Sequence, residues 1–188
     1  AASVTDYDAV AAMVDQAMAK WGRIDILVNN AGVLRDKTFA KMDLEDFRFV
    51  VDVHLMGAVN CTKAVWEIMR TQNFGRIVFT TSSSGLYGNF GQANYGAAKL
   101  GLVGLVNTLA IEGGRSNIRA NAVAPGPVWT PLIPASMPAE EVAEFGKTYP
   151  MKRPAQPEEI APAYVFLASP QMSSFITGEI LPIVGGYS

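Results

Sequence analysis

The chain has 188 residues, 49% of them apolar and 17% charged, with a net charge of −2. That length and apolar content suffice for one domain with a sizeable core, residues 1–188, and the near-neutral balance carries no footprint of a nucleic-acid binder. One cysteine, Cys61, and one histidine, His54, exclude an internal disulfide, a cysteine-based metal site and a multi-histidine metal site. Cys61 falls in a helical pattern and reads as a small core residue. No signal peptide or membrane-length apolar run is visible, so the cytoplasm is the expected location.

Helical and strand-like segments alternate along the chain. Thr5 is the expected N-cap of a helix running to about Trp21, with Asp8 three residues on completing a capping-box-like pair. Val10, Val14, Ala17, Met18 and Trp21 form its apolar stripe, and Gly22 supplies the stop. Ile24 to Val28 is a short apolar run, as expected of a strand covered on both faces. Asp43 begins a helical region reaching roughly Arg70. Arg76 to Thr81 is the next strand, Asn94 to about Glu112 a helix rich in Gly, Ala and Leu, and Ile118 to Ala124 a further strand. Pro138 to Gly146 reads as a short helix on a mobile excursion. Pro157 opens a helix to about Ala168, with Glu158 and Glu159 in the first turn where acids suit the dipole. Gly178 to Val184 is a last strand, which Pro182 assigns to an edge or a bulge. This alternation predicts βαβ units and a parallel sheet.

Chemistry concentrates in Tyr95-Gly96-Ala97-Ala98-Lys99, with Ser82 upstream in Ser82-Ser83-Ser84-Gly85. On a helix the phenol and the ammonium lie on one face, one turn apart. A lysine charge beside a tyrosine lowers its pKa, and such a tyrosine exchanges protons with an alcohol or carbonyl near neutrality. A serine hydroxyl aimed at the same oxygen polarises it. The spacing alone also fits a solvated surface pair. What sets it apart is the order of the other segments, with Asn29-Asn30-Ala31-Gly32 directly after the first strand and Pro125-Gly126-Pro127-Val128-Trp129-Thr130 after the third.

With these motifs in this order the chain resembles the short-chain dehydrogenases/reductases over its whole length. The resemblance implies a Rossmann-like, doubly wound α/β sheet with helices on both faces. It implies hydride transfer between NAD or NADP and a carbonyl or alcohol carbon, with Tyr95 as general acid/base. Lys99 would hold the ribose and depress the tyrosine pKa, and Ser82 would position the substrate oxygen. Ser83 and Ser84 are rivals, and family spacing favours Ser82. Asn29, Ala31 and Gly32 would approach the cofactor, as would Pro125, Gly126, Val128 and Thr130 near the nicotinamide. Ser3-Val4 stands where the family often has Asp-Val beside the adenine, so Ser3 is a departure. His54 is another: Val53-His54-Leu55-Met56-Gly57 replaces the Val-Asn-Leu-x-Gly of many members. It reads equally as a proton relay or as a helix histidine satisfied by a carbonyl.

No Gly-rich pyrophosphate turn stands near the start, and the expected explanation is a missing N-terminal segment ahead of residue 1. Without it the choice between NAD and NADP is open. Residues 53–112 are similar to the (3R)-hydroxyacyl-CoA dehydrogenase modules of peroxisomal multifunctional enzymes, on His54 and Gly88-Asn89-Phe90-Gly91-Gln92-Ala93-Asn94. From Pro125 onward the likeness is to other bacterial oxidoreductases. The expected partners are a small carbonyl or alcohol, an acyl thioester among the candidates, with no nucleic acid and no membrane. Ile133, Met137, Val142 and Phe145 on the excursion suggest an apolar substrate, and suit a core or interface equally. Gly101, Gly104 and Leu105, on a helix apolar around much of its circumference, suggest a homo-oligomer, a dimer or tetramer. The competing functional reading is a non-catalytic sensor or scaffold of the same fold. A flavodoxin-like binding module would not predict the Tyr-Lys pair after that strand.

Overall fold

A computed structural model describes residues 2–186. Four strands, β1 (Ile26–Asn29), β2 (Gly75–Thr80), β3 (Ile118–Pro125) and β4 (Ile180–Ile183), form one parallel sheet in the order β1-β2-β3-β4. The register places Ile26 beside Arg76, Gly75 beside Ile118 and Ala122 beside Ile180.

Alternation along the strands builds two cores. Ile77, Phe79, Ala120 and Ala122 point to one face, against Val65 and Met69 of α3 (Gly57–Gln72) and Leu102 and Val106 of α5 (Ala93–Gly113). Val78 and Val123 point to the other face, against Ile160, Ala163 and Leu167 of α8 (Pro157–Ala168). Helices on both faces of a parallel sheet make the expected doubly wound α/β architecture.

Most expected elements stand within a residue or two of their anticipated bounds. Helix α1 (Tyr7–Trp21) differs at its start. Asp6, in extended conformation, is the N-cap and accepts from the Ala9 N–H at 3.0 Å, while the Thr5 hydroxyl turns back to Ser3 at 2.8 Å. Its far end follows expectation, because Gly22 takes a left-handed φ of 71° and closes the helix on the Met18 carbonyl. Trp21 leaves the apolar stripe and is 65% exposed. Strand β1 is not covered on both faces: Ile26 and Val28 are 51% and 45% exposed. Strand β4 is an edge, which accommodates Pro182 beside Ala124.

The long helical region departs in detail. Asp43 precedes α2 (Leu44–Val51) but its carboxylate binds Lys37 instead of capping the helix. The helix then loosens into a π-helical segment, Asp52–Met56, before α3 begins. Such segments recur at functional sites, because the wider turn re-aims a side chain. Here it carries His54. The remaining helices are α4 (Ser83–Tyr87), α6 (Leu132–Ser136) and α7 (Ala139–Glu144). A capping box between Gln156 and Glu159 begins α8.

Candidate active site

The carboxyl ends of β1, β2 and β3 open into one cavity of about 1030 Å³. Such strand ends are where open parallel sheets bind ligands. Asn30 and Gly32 enter from β1, Thr80 to Ser84 from β2, Pro125 to Val128 and Thr130 from β3. Tyr95 and Lys99 enter from the first turns of α5, and α6 and α7 close the far side with Leu132, Ile133, Met137 and Phe145. The segments singled out in the sequence thus converge on one space.

Ser82 caps α4 through its Oγ, which accepts from the Ser84 N–H at 3.2 Å. Of the three neighbouring serines it is the one whose hydroxyl acts on the Tyr95 phenol, holding its pKa down against burial. Tyr95 is held by its backbone: its N–H donates to Asn94 Oδ1 at 2.7 Å, while Asn94 Nδ2 donates to the Arg35 carbonyl at 3.0 Å. Gln92 repeats the clamp, donating from Nε2 to Asp36 at 2.7 Å. Asn94 is fully buried, and these two residues tie the start of α5 to the loop after β1. Their spacing to Arg35 and Asp36 holds no local pattern, so the clamp is visible only in the fold.

The lysine does not do to Tyr95 what spacing alone predicts. Lys99 Nζ lies 5.4 Å from the Tyr95 ring centroid and donates instead to the Thr80 carbonyl at 2.5 Å. Burial pushes the Tyr95 phenol above its ordinary value, the Ser82 hydrogen bond pulls it back, and the Asp36 carboxylate adds to the rise. Burial falls harder on the lysine, whose ammonium is lowered to about 7.

His54 is 4% exposed and stands edge-on to Tyr95, with ring centroids 5.0 Å apart at 84°. Its Nε2 faces both the N–H of Val33 at 3.0 Å and the carbonyl of Val33 at 2.8 Å. One nitrogen serves only one of these at a time: one tautomer accepts, the other donates. Nδ1 is buried without a partner. Desolvation first, then the Lys99 charge, lower His54 to about 4, so the ring is neutral at physiological pH. Gly32 packs on this ring so closely that a Cβ there would lie 2.5 Å from His54 Cε1.

The other residues separate. Asn29 turns inward and donates to Thr62 Oγ1 at 3.0 Å, whereas Asn30 accepts from Thr80 Oγ1 at 2.9 Å. Asn29, Ala31, Val4, His54 and Lys99 border a second, small cavity of about 50 Å³. Val4 also accepts from Asn60 Nδ2 at 2.9 Å. Ser3 is exposed, is bonded to Thr5 and borders neither cavity. Val128 is bridged to Ala155.

The residues that are present suit the sugar hydroxyls of a nucleotide cofactor. Lys99 is 3% exposed and spends one donor on Thr80, leaving two N–H groups of a buried cation beside the cavity. The cavity volume stands at the upper end of the range for cofactor sites.

The chain is similar to several known proteins. A family model described as enoyl-(acyl carrier protein) reductase matches residues 1–188. The peroxisomal multifunctional enzyme type 2 of Drosophila melanogaster is 52% identical over 126 residues, covering 65% of this chain and 21% of that protein. The acetoacetyl-CoA reductase of an Acinetobacter strain is 43% identical over 183 residues, 97% of this chain and 73% of the relative. A crystal structure of levodione reductase superposes with a TM-score of 0.93 at 37% identity, over 98% of this chain and 74% of that one. The chain therefore matches about a fifth of the peroxisomal enzyme and about three quarters of the two reductases.

Proposed function

The chain belongs to the short-chain dehydrogenase/reductase family, an oxidoreductase family, and from that premise we propose that it interconverts a ketone and a secondary alcohol with NAD or NADP. The observation that carries this reading is the convergence of Ser82, Tyr95 and Lys99 on one cavity at the strand ends. The nicotinamide, when bound, supplies or takes the hydride. In reduction the Tyr95 phenol, kept protonated by its burial, gives its proton to the carbonyl oxygen as the alcohol forms. Ser82, whose hydroxyl lies close enough to favour the ionised phenol, steadies the same oxygen. Lys99, cationic below about pH 7, would hold the ribose hydroxyls with the donors that Thr80 leaves free. Val128 and Thr130 would face the nicotinamide carboxamide, Gly32, Pro125 and Gly126 would line the same cavity, and Asn29 and Ala31, which border the small second cavity, would support it from behind. Ser3 and Val4 belong, in this reading, to the adenine side.

Leu34, Leu132, Ile133, Met137 and Phe145 suit a substrate with an apolar body. An acyl thioester stays among the candidates, on the names of the reductase relatives. Among the described residues no helix is long and apolar enough to cross a membrane, and the proposed setting is the cytoplasm. Copies are proposed to associate through α5, where Leu100 and Ile111 are 51% and 82% exposed along one stripe with Gly104.

The test is binding and turnover of NADH against NADPH, with a panel of ketones and 3-ketoacyl thioesters and Tyr95→Phe as control. Turnover with one cofactor, lost in the variant, is the expected result. Binding without turnover would favour the sensor or scaffold, and no binding by the full-length protein would end the dinucleotide reading.

A further inference from the structure

Tyr164 attracts no attention in the sequence, where it is one more residue of an apolar helix. In the fold it leaves α8 toward the cavity that holds Tyr95 and Lys99. Its phenol oxygen lies 2.8 Å from Thr80 Oγ1. The Thr80 hydroxyl donates to Asn30 Oδ1 at 2.9 Å. A hydroxyl has one hydrogen, and a carboxamide oxygen only accepts. With that hydrogen committed to Asn30, Thr80 Oγ1 accepts from Tyr164. The bonds therefore run Tyr164 to Thr80 to Asn30, joining α8, β2 and β1.

Thr80 has a second role on its main chain, because its carbonyl receives the Lys99 ammonium from the opposite face of the sheet. Lys99 approaches on α5, which packs on one face, whereas Tyr164 approaches on α8, which packs on the other. Thr80 is the last residue of β2, and the peptide that carries its carbonyl is tied to β3 through the Thr81 N–H, which donates to the Val123 carbonyl at 2.9 Å. The Thr80 side chain adds a second tie from the α8 side, its bond to Tyr164 at 2.8 Å. We propose that Tyr164 is a positioning residue of this site: through Thr80 it holds the carbonyl on which the Lys99 ammonium is seated.

The proposal rests on the hydride-transfer reading for its catalytic consequence, though not for the wiring. Three groups face Lys99: Tyr95 from its own helix, the neutral His54 from the π-helical segment, and Thr80 from β2. Only the last is a hydrogen-bond partner, and a bond to a carbonyl favours the charged amine. Loosening it lowers the Lys99 titration midpoint further.

The test compares the full chain with Tyr164→Phe, Thr80→Val and Thr80→Ser. Carbon-13 signals of the lysine side chains are followed against pH, and Lys99→Arg identifies the relevant one. The same proteins are assayed for kcat and KM. Tyr164→Phe and Thr80→Val are expected to move the Lys99 midpoint down by about half a unit. They should lower kcat about threefold to tenfold, the size of one lost hydrogen bond, with KM for the ketone nearly unchanged. Thr80→Ser keeps the hydroxyl and should behave as wild type. The double variant should lose no more than either single one, since both cut the same chain of bonds.

A wild-type midpoint and kcat in Tyr164→Phe, or additive losses in the double variant, would overturn the proposal. Should Tyr164→Phe not fold, the Thr80 pair decides, and equal behaviour of Val and Ser at that position overturns it too. If the wild-type protein reduces no carbonyl at all, the hydride-transfer reading fails while the lysine titration still decides the wiring.

Discussion

The two walls of the large cavity are built in opposite ways. On the strand-end wall Ser82, Asn94, Lys99 and His54 are all buried, and their hydrogen bonds link residues far apart in sequence, such as Lys99 to Thr80 and His54 to Val33. On the facing wall α6 and α7 are helices of five and six residues, each preceded by a proline and without a side-chain cap. There Ile133 is the one buried residue of the two helices, and Leu132 is 41% exposed. Acid–base groups lose rate when displaced by an ångström, so they belong on rigid supports. Selectivity tolerates softer ones, and low-stability segments are where substrate-dependent motion is found. In the proposed function the first wall carries the chemistry and the second the choice of substrate.

Substitutions should separate the walls. The largest effect is expected for Tyr95→Phe, which removes the proton donor while leaving the ring against His54. Turnover should fall about a thousandfold with an unchanged melting temperature. An enzyme that keeps a tenth of its activity would put the proton elsewhere.

Next comes His54 under acid. Its folded pKa of about 4 lies below the ordinary 6.5, so between those values the unfolded chain binds the proton and the folded chain does not. Stability is therefore lost as pH falls from about 6.5 to about 4, by about 3 kcal/mol at the end of that window. His54→Asn has nothing to titrate and should lose less. Urea unfolding at the two ends of the window measures the difference, and equal losses in both proteins would contradict the buried neutral ring.

Gly32→Ala tests the same wall sterically. Its new methyl would meet His54 Cε1 at 2.5 Å, and the ring is held by Val33 and by Tyr95. About 1–3 kcal/mol of stability should be lost, with turnover falling alongside. A melting curve like that of the wild type would show that the loop yields freely.

The smallest effect belongs to the other wall. Phe145→Ala should leave stability within about 0.5 kcal/mol and kcat unchanged, while KM for apolar ketones rises severalfold. A kcat loss matching that of a strand-end variant would erase the distinction between the walls.

Much of this was legible beforehand because it depends on near neighbours in the chain. Strand runs, the Gly22 stop, the Pro157 helix start and the shared face of Tyr95 and Lys99 all follow from local stereochemistry. The readings that changed depended on distant atoms. Thr5 and Asp6 are both competent caps, and only the backbone entering α1 selects Asp6. Strand β1 looks doubly buried by composition, yet burial is a property of what packs on it, and Ile26 and Val28 are half exposed.

The sequence by itself determined the order of the elements, the parallel sheet and the set of residues that reach its carboxyl edge. It did so because periodicity, caps and turn residues act over a few positions. Tertiary structure alone decided what those residues do to one another. It turned Lys99 from the Tyr95 hydroxyl to the Thr80 carbonyl and left His54 neutral with one nitrogen unpartnered. Each of these depends on burial and on partners brought close only by folding, and the cost of placing charge in a dry interior cannot be read from spacing.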